Sequence, residues 1–423
     1  MFLEKEGKLI YSYDGETVCI EAWGKDALRV RATKNRSFTG RDWALEAKDA
    51  HAGEVEIFED PSAKGGAFAN MYEGTDTSYG KITNGKLHAV IDSGSVITFY
   101  HEDGRVLLKE HFRRLRDEES MPLNIMGREY SNGVGDNFRI VARFVARKGE
   151  KIFGMGQYQQ HELDLKGCML ELAQRNSQVS VPFYLSSIGY GFLWNNPGVG
   201  QVMFANNGTE WVTESGKEID YLVIAGDTPA EIEENYMTLT GKPPMMPEYG
   251  MGFWQCKLRY WNQEQLLSVA RKYKELGVPL DVIVVDFFHW TKQGEFKFDP
   301  KYWPDVPGMC RELKEMGIQV VVSVWPTVDI YSENFEEMKE KGYLVRTEHG
   351  VPLTMLCGGN EVFFDATNPD ARTYVWEKIK KNYYDQGAKL FWLDVAEPEY
   401  SVYDFRNYRY QLGSVQELSL IHI

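Results

Sequence analysis

Hydrophobic and polar positions alternate in short runs through the first part of the chain, as in ETVCIEAW, LRVRAT, KLHAVIDS, SVITFYHE and GFLWNN, with Gly, Asn and Asp between the runs. A period of two, punctuated by turn residues, predicts antiparallel strands. From residue 1 to about 224 the pattern is that of a β-sandwich. A helical period first appears over 228–240, TPAEIEENYMTLT, with Thr228 at the cap position and Pro229 at the first helical position. The next segment, GKPPMMP at 241–247, holds three prolines that can continue neither a helix nor a central strand, so it reads as a linker.

Beyond the linker, apolar strand-like runs alternate with amphipathic helices, the pattern of parallel βα units. Strands are predicted over 249–255, 281–286, 318–325 and 389–394, and helices near 263–276, 306–316, 332–341 and 368–384. Four such units are half of a (β/α)₈ barrel. The expected architecture is therefore a multi-domain β plus α/β chain: an antiparallel β-sandwich over 1–240, the linker, and a truncated TIM barrel over 248–417.

In such a barrel the reactive side chains sit at the C-terminal ends of the strands. The second strand, DVIVVD, ends on Asp286, the third, IQVVVSVW, on Trp325, and the fourth, KLFWLD, on Asp394, with Glu397 just behind. A carboxylate closing an apolar strand is costly unless it is paired or functional. Asp is also a preferred helix cap, so Asp394 is read either as a catalytic group or as the N-cap of a following helix, and Asp286 either as functional or as closing the loop FFHWTKQGEF. Glu397 reads as a supporting partner rather than as the acid, because it lies so close to Asp394.

Composition narrows the function class. The 62 acidic and 47 basic residues give a net charge of −15, which disfavours nucleic acid and anionic membrane surfaces as partners. The 11 Trp and 24 Tyr suit pyranose binding, since sugar C–H faces pack on aromatic rings, although β-rich cores also use them. The five cysteines are odd in number and scattered, without metal or disulfide spacing, so a reducing compartment is the default. No run of about eighteen apolar residues occurs, and charges interrupt the N-terminus where a signal peptide needs an apolar stretch. The expectation is a soluble, cytoplasmic protein. The eight His are scattered and no glycine-rich nucleotide loop is present, so neither a metal nor a cofactor is expected.

FWLDVAEPE at 391–399 resembles the nucleophile signature of glycoside hydrolase family 31. VPLDVIVVDFFHW, FKFDPKYWPD, GIQVVVSVWPTV and FFDATNP stand in that family's order, and FGMGQYQQHELDL with VPFYLSSIGYGFLWNN is similar to its β-sandwich. The resemblance covers about 2–417. It implies a retaining α-glycosidase in which Asp394 attacks the anomeric carbon and forms a covalent intermediate. It further implies that Asp286 binds sugar hydroxyls and that Trp325 and Trp392 line the same subsite. Asn176, in QRNSQVSVPFY, is a candidate for a contribution from a sandwich loop, or else a surface turn. Phe288 stands where α-xylosidase-like members carry an aromatic and α-glucosidase-like members a polar residue, so terminal α-xylosides are the expected substrates, with α-glucosides as the alternative, unless Phe288 points into the core. His289 and Trp290 receive no role.

A retaining mechanism needs a second carboxyl group, which the resemblance puts on a later barrel strand. The closing LSLIHI reads as the translation of a sequencing adaptor, so 418–423 are set apart from the fold. The expectation is of a fragment, inactive as written, whose longer parent takes α-linked xylose- or glucose-containing oligosaccharides. A homo-oligomer is one option for that parent. A non-catalytic carbohydrate-binding module is the alternative from another class.

Overall fold

The alternating N-terminal segments form three antiparallel sheets in the computed structural model, which describes residues 1–46, 49–61, 76–111, 126–176, 178–348, 350, 360–396 and 407–418. These residues fall into two units, Met1–Pro243 together with the stretch that begins at Gln416, and Pro244–Val415. The largest sheet of the first unit has nine strands. Its path runs Phe2–Lys5, Lys8–Tyr13, Glu16–Trp23, Ala27–Thr33, Ile219–Ala225, Tyr190–Trp194, Val179–Ser186 and Ile152–Gln157, with Ala50–His51 beside Glu16–Trp23. One five-stranded sheet spans 54–58 and 79–109, and the other is built from strands at 128–144, 169–172 and 200–216. All three feed one core, in which Val30 and Tyr221 of the large sheet meet Ile91 and Phe99 of the second sheet and Phe144 and Trp211 of the third.

Ile219–Ala225 shows why strict alternation fails at the centre of this unit: all seven of its residues are buried. Tyr221, Val223 and Ala225 face the sandwich core. Leu222 and Ile224 face the other way, against Ile232 and Leu239 of the helix Pro229–Thr240. That helix starts as its sequence dictates, with the Thr228 side chain accepting from the Glu231 N–H at 3.2 Å and proline in the first turn. The Tyr236 ring stacks on Phe183 at 3.9 Å.

Arg29 and Arg128 are among the described arginines of this unit whose side chains are buried against carboxylates. Arg29 pairs with Asp220 and with Asp42, both at 2.7 Å. Arg128 binds Glu16 through Nε and Nη2, at 3.0 and 2.9 Å, and its Nη1 donates to Glu110. Glu110 also accepts from the Ile97 N–H and the Tyr221 hydroxyl, both at 3.1 Å.

The second unit holds four parallel strands in chain order, Trp254–Gln255, Val282–Val285, Gln319–Val324 and Leu390–Leu393. The middle two are VIVV, wholly apolar, and QVVVSV, apolar but for an exposed Gln319 and a buried Ser323, because both faces of a parallel sheet are covered. Ile283, Val285, Val320, Val322 and Val324 pack with the helices Gln263–Glu275, Val306–Glu315 and Pro369–Ile379, while Val282, Val284, Val321 and Leu390 cluster on the opposite face. Asn262, Asp305 and Asn368 each cap the helix that follows, so the WPD and NP elements of the family-like motifs have a local structural use.

Three expectations need correction. The first strand does not span 249–255: Glu248–Met251 is a 3₁₀ turn, and only Trp254–Gln255 pairs. The helix expected over 332–341 is reduced to Phe335–Glu340. Between the third and fourth parallel strands the chain also makes an unforeseen antiparallel pair, Thr327–Asp329 with Glu361–Phe363. Among the described residues, no helix is long and apolar enough to cross a membrane.

Candidate active site

Side chains alternate sides along a strand, so a residue two beyond a strand position continues the same face. Val284 leads to Asp286, Ser323 to Trp325, and Trp392 to Asp394, all on the face away from the helices. The register sets their heights. Val285 stands beside Val322 and Val324 beside Leu393, so Trp325 and Asp394 leave their strands at the same level and Asp286 one step lower.

Asp394 is held at both carboxylate oxygens. Oδ2 accepts from the Trp325 indole Nε1 at 3.1 Å, and Oδ1 accepts from the Val395 N–H at 2.9 Å. Its own N–H donates to the Val324 carbonyl at 3.1 Å, which extends the strand pairing one residue further. The next residue, Val395, has φ +57°, a left-handed conformation that a β-branched side chain rarely adopts. Backbone held against preference recurs at functional turns, where the surroundings over-determine it. With that φ, Val395 is not in a helical conformation and does not open a helix directly after Asp394.

Asp286 is similarly tied. Its Oδ1 accepts from the Phe287 N–H at 2.8 Å and its Oδ2 from the Cys256 thiol at 3.4 Å. Cys256 follows the first strand, and partial desolvation together with the neighbouring Asp286 pushes its exposed thiol up to about 12, so it stays a neutral donor. His289, given no role from sequence, supports the same turn. Its Nδ1 lies 2.9 Å from the Asp286 carbonyl oxygen and its Nε2 2.9 Å from the Tyr383 hydroxyl. A carbonyl only accepts, so Nδ1 carries the proton and Nε2 accepts from tyrosine.

Burial lowers the His289 imidazole to about 4. An unfolded histidine titrates near 6.5, so below that pH the unfolded chain binds the extra proton and stability falls as pH falls toward 4. The loss attributable to this residue is on the order of 3 kcal/mol across that window. Thermal melts from pH 7 to pH 4 are expected to show a shallower acid decline in His289→Gln, which keeps both hydrogen bonds and has no proton to gain. Equal slopes in the two proteins would remove His289 from this account.

Aromatic rings wall the Trp325 indole. Phe287 stacks on it at 5.4 Å and 17°, Trp290 meets it edge-on at 5.8 Å, and Phe288 is tilted at 6.3 Å. Phe288 is 51% exposed and does not point into the core. Its φ is +58°, so Asp286 and Asp394 are both followed within two residues by a left-handed, non-glycine turn. Trp392 is exposed on the fourth strand, beside Ser323 of the third. Asn176 lies on an exposed turn of the first unit between Arg175 and Gln178, which bridge one another. Glu397 lies outside the described residues. The structure thus brings Asp286, Phe288, Trp325 and Asp394 into one connected group, and adds Cys256, which reaches Asp286 from another loop, and His289, which ties the Asp286 turn to Tyr383. Among the described residues, no group of three or more His, Cys, Asp and Glu side chains is arranged to hold a metal ion.

Four parallel strands carry two carboxylates and an indole at their C-terminal ends, in a unit that follows a β-sandwich-like one. Residues 243–416 match the model of the glycosyl hydrolases family 31 TIM-barrel domain, and residues 17–202 that of the glycosyl hydrolase 31 N-terminal galactose mutarotase-like domain. An uncharacterised family 31 glucosidase of Pseudescherichia vulneris is 45% identical over 98% of this chain and 77% of its own length. The chain belongs to glycoside hydrolase family 31. α-Xylosidase A of Aspergillus niger is 31% identical over 90% of this chain and 52% of its own. The crystal structure of a family 31 α-xylosidase from a soil metagenome, complexed with xylose, superposes with a TM-score of 0.91 at 48% identity, covering 100% of this chain and 61% of that one.

Proposed function

We propose that this chain carries the nucleophile side of a retaining α-glycosidase acting on terminal α-xylosides, with Asp394 attacking the anomeric carbon. The observation that carries the reading is the double anchorage of Asp394, by the Trp325 indole and the Val395 N–H, at the end of a parallel strand. A carboxylate oxygen accepts hydrogen bonds, so the two donors fix the direction in which the group points. Its attack forms a glycosyl ester, which water then cleaves with help from a second carboxyl group. Asp286, fixed by Phe287 and Cys256, is read as an acceptor for sugar hydroxyls, and Trp325 and Trp392 as apolar surfaces for the ring. Asn176 is kept as a candidate contact and Glu397 as a supporting carboxylate.

Phe288 favours xylose. Xylose has no hydroxymethyl group, whereas glucose would leave a hydroxyl unpaired against that ring. Two relatives named as α-xylosidases agree with this choice, while the relative named as a glucosidase keeps α-glucosides as the second reading. The four parallel strands are read as the first four of a (β/α)₈ barrel, and the acid/base group as part of the barrel beyond them.

A mechanism-based label tests this without needing the acid. 5-Fluoro-α-D-xylosyl fluoride loses fluoride unaided and leaves a slowly hydrolysed ester on the nucleophile. Peptide mass spectrometry is expected to find the xylosyl group on Asp394, formed at least about tenfold faster than the glucosyl analogue forms its ester. A label on another residue would sink the nucleophile assignment. Faster glucosyl labelling would transfer the reading to α-glucosides, and steady turnover by these residues alone would put the acid/base group among them.

A further inference from the structure

Beyond the Cys256–Asp286 hydrogen bond, the loops after the first and second parallel strands are joined by the Arg259 side chain. The Arg259 guanidinium lies 3.6 Å from the centre of the Trp261 ring and 5.3 Å from that of Phe288. Its Nη1 approaches the Phe288 carbonyl oxygen at 3.5 Å. Phe288 is a residue that needs holding. Its φ of +58° lies where a bulky side chain is rarely found, and its exposed ring has no core to lock it. Trp261 is itself 60% exposed, so the stack stands on the surface of the loop pair.

We infer that Arg259 is a positioning residue for substrate specificity. Stacked on Phe288 and held over Trp261, the planar guanidinium keeps the Phe288 ring beside Trp325, where the ring closes the side of the pocket on which glucose carries its hydroxymethyl group. Without it, the Phe288 backbone relaxes toward the extended region and the ring leaves that wall. The inference rests on the reading of Phe288 as the xylose-selecting wall, and the two are separable by experiment.

The measurement is the ratio of labelling rates with 5-fluoro-α-D-xylosyl fluoride and 5-fluoro-α-D-glucosyl fluoride, taken for the unchanged chain, Arg259→Ala, Arg259→Lys, Phe288→Ala and the double alanine variant. Arg259→Ala is expected to lower the ratio by about tenfold. Arg259→Lys, which keeps the charge but not the planar stack, falls between. The double variant drops no further than Phe288→Ala alone, because both changes remove the same wall. A general loss of folding slows both labels together and leaves the ratio unmoved. A ratio within about twofold of the unchanged chain in Arg259→Ala, with a clear drop in Phe288→Ala, overturns the inference and spares the wall. No drop in Phe288→Ala overturns the wall and the inference together, as does failure of the unchanged chain to label at all.

Discussion

Asp394→Ala is expected to form no glycosyl ester and to lose at least about 10⁴-fold in the rate of reaction with an activated α-xyloside, because no other group completes the displacement. Melting should barely move, since Asp394 is only partly buried and lies past the end of its strand. The diagnostic step is rescue. Azide is small enough to occupy the space of the missing carboxylate and attack from the same side, so α-xylosyl fluoride should yield the β-xylosyl azide. Formation of the α-azide would instead identify Asp394 as the acid/base group, and an undiminished rate without azide would remove it from the chemistry altogether.

Arg128→Met carries the largest expected effect on stability. It strands Glu16 and Glu110, which lie against Arg128 within the sandwich, and removing one partner of a buried pair typically costs about 3–5 kcal/mol. Burial already raises the Glu110 carboxyl above its ordinary range, with Arg128 the main opposing influence. In the variant that carboxyl rises further, so the native state binds a proton that the unfolded state releases. The penalty is therefore greatest at neutral and higher pH and shrinks as pH falls toward the unfolded value near 4.5. Denaturant melts at pH 5 and pH 8 check both magnitude and sign. A cost below about 1 kcal/mol at pH 8, or one that grows on acidification, would contradict the account.

Much of the second unit was legible because its physics is local. Strands covered on both faces are chiefly apolar, as VIVV and the VVV run of QVVVSV are, and a charged residue ending such a run stands out, as Asp286 and Asp394 do. Caps are equally local, and Thr228 acts where its sequence places it. The first strand was misread because YGMGFWQ looks uniformly apolar. Instead a 3₁₀ turn follows Pro247, and pairing is delayed until the Asp281 carboxylate accepts from the Phe253 N–H at 3.0 Å. The arrangement of the three sheets was not legible, since nothing in ALRVRAT states that its partner is IDYLVIA. The same holds within the site. Cys256 and Arg259 matter through what they touch on another loop, and His289 through Tyr383, 94 residues on, and no run of neighbouring residues advertises that.

The pairing of Ala27–Thr33 with Ile219–Ala225 also sets an order of events as the protein is made. Arg29 and Asp220 are 191 residues apart in the chain. At 5–20 residues per second a ribosome needs roughly 10 to 40 s to cover that interval. Closing so long a loop costs about 4–5 kcal/mol of chain entropy, returned only when the central strand docks. During that wait the early N-terminal hairpins present an unpartnered edge, and Arg29 lacks the carboxylate of Asp220. The nine-stranded sheet is thus completed from its middle and late, and the nascent chain is most open to mispairing before residue 225 has emerged.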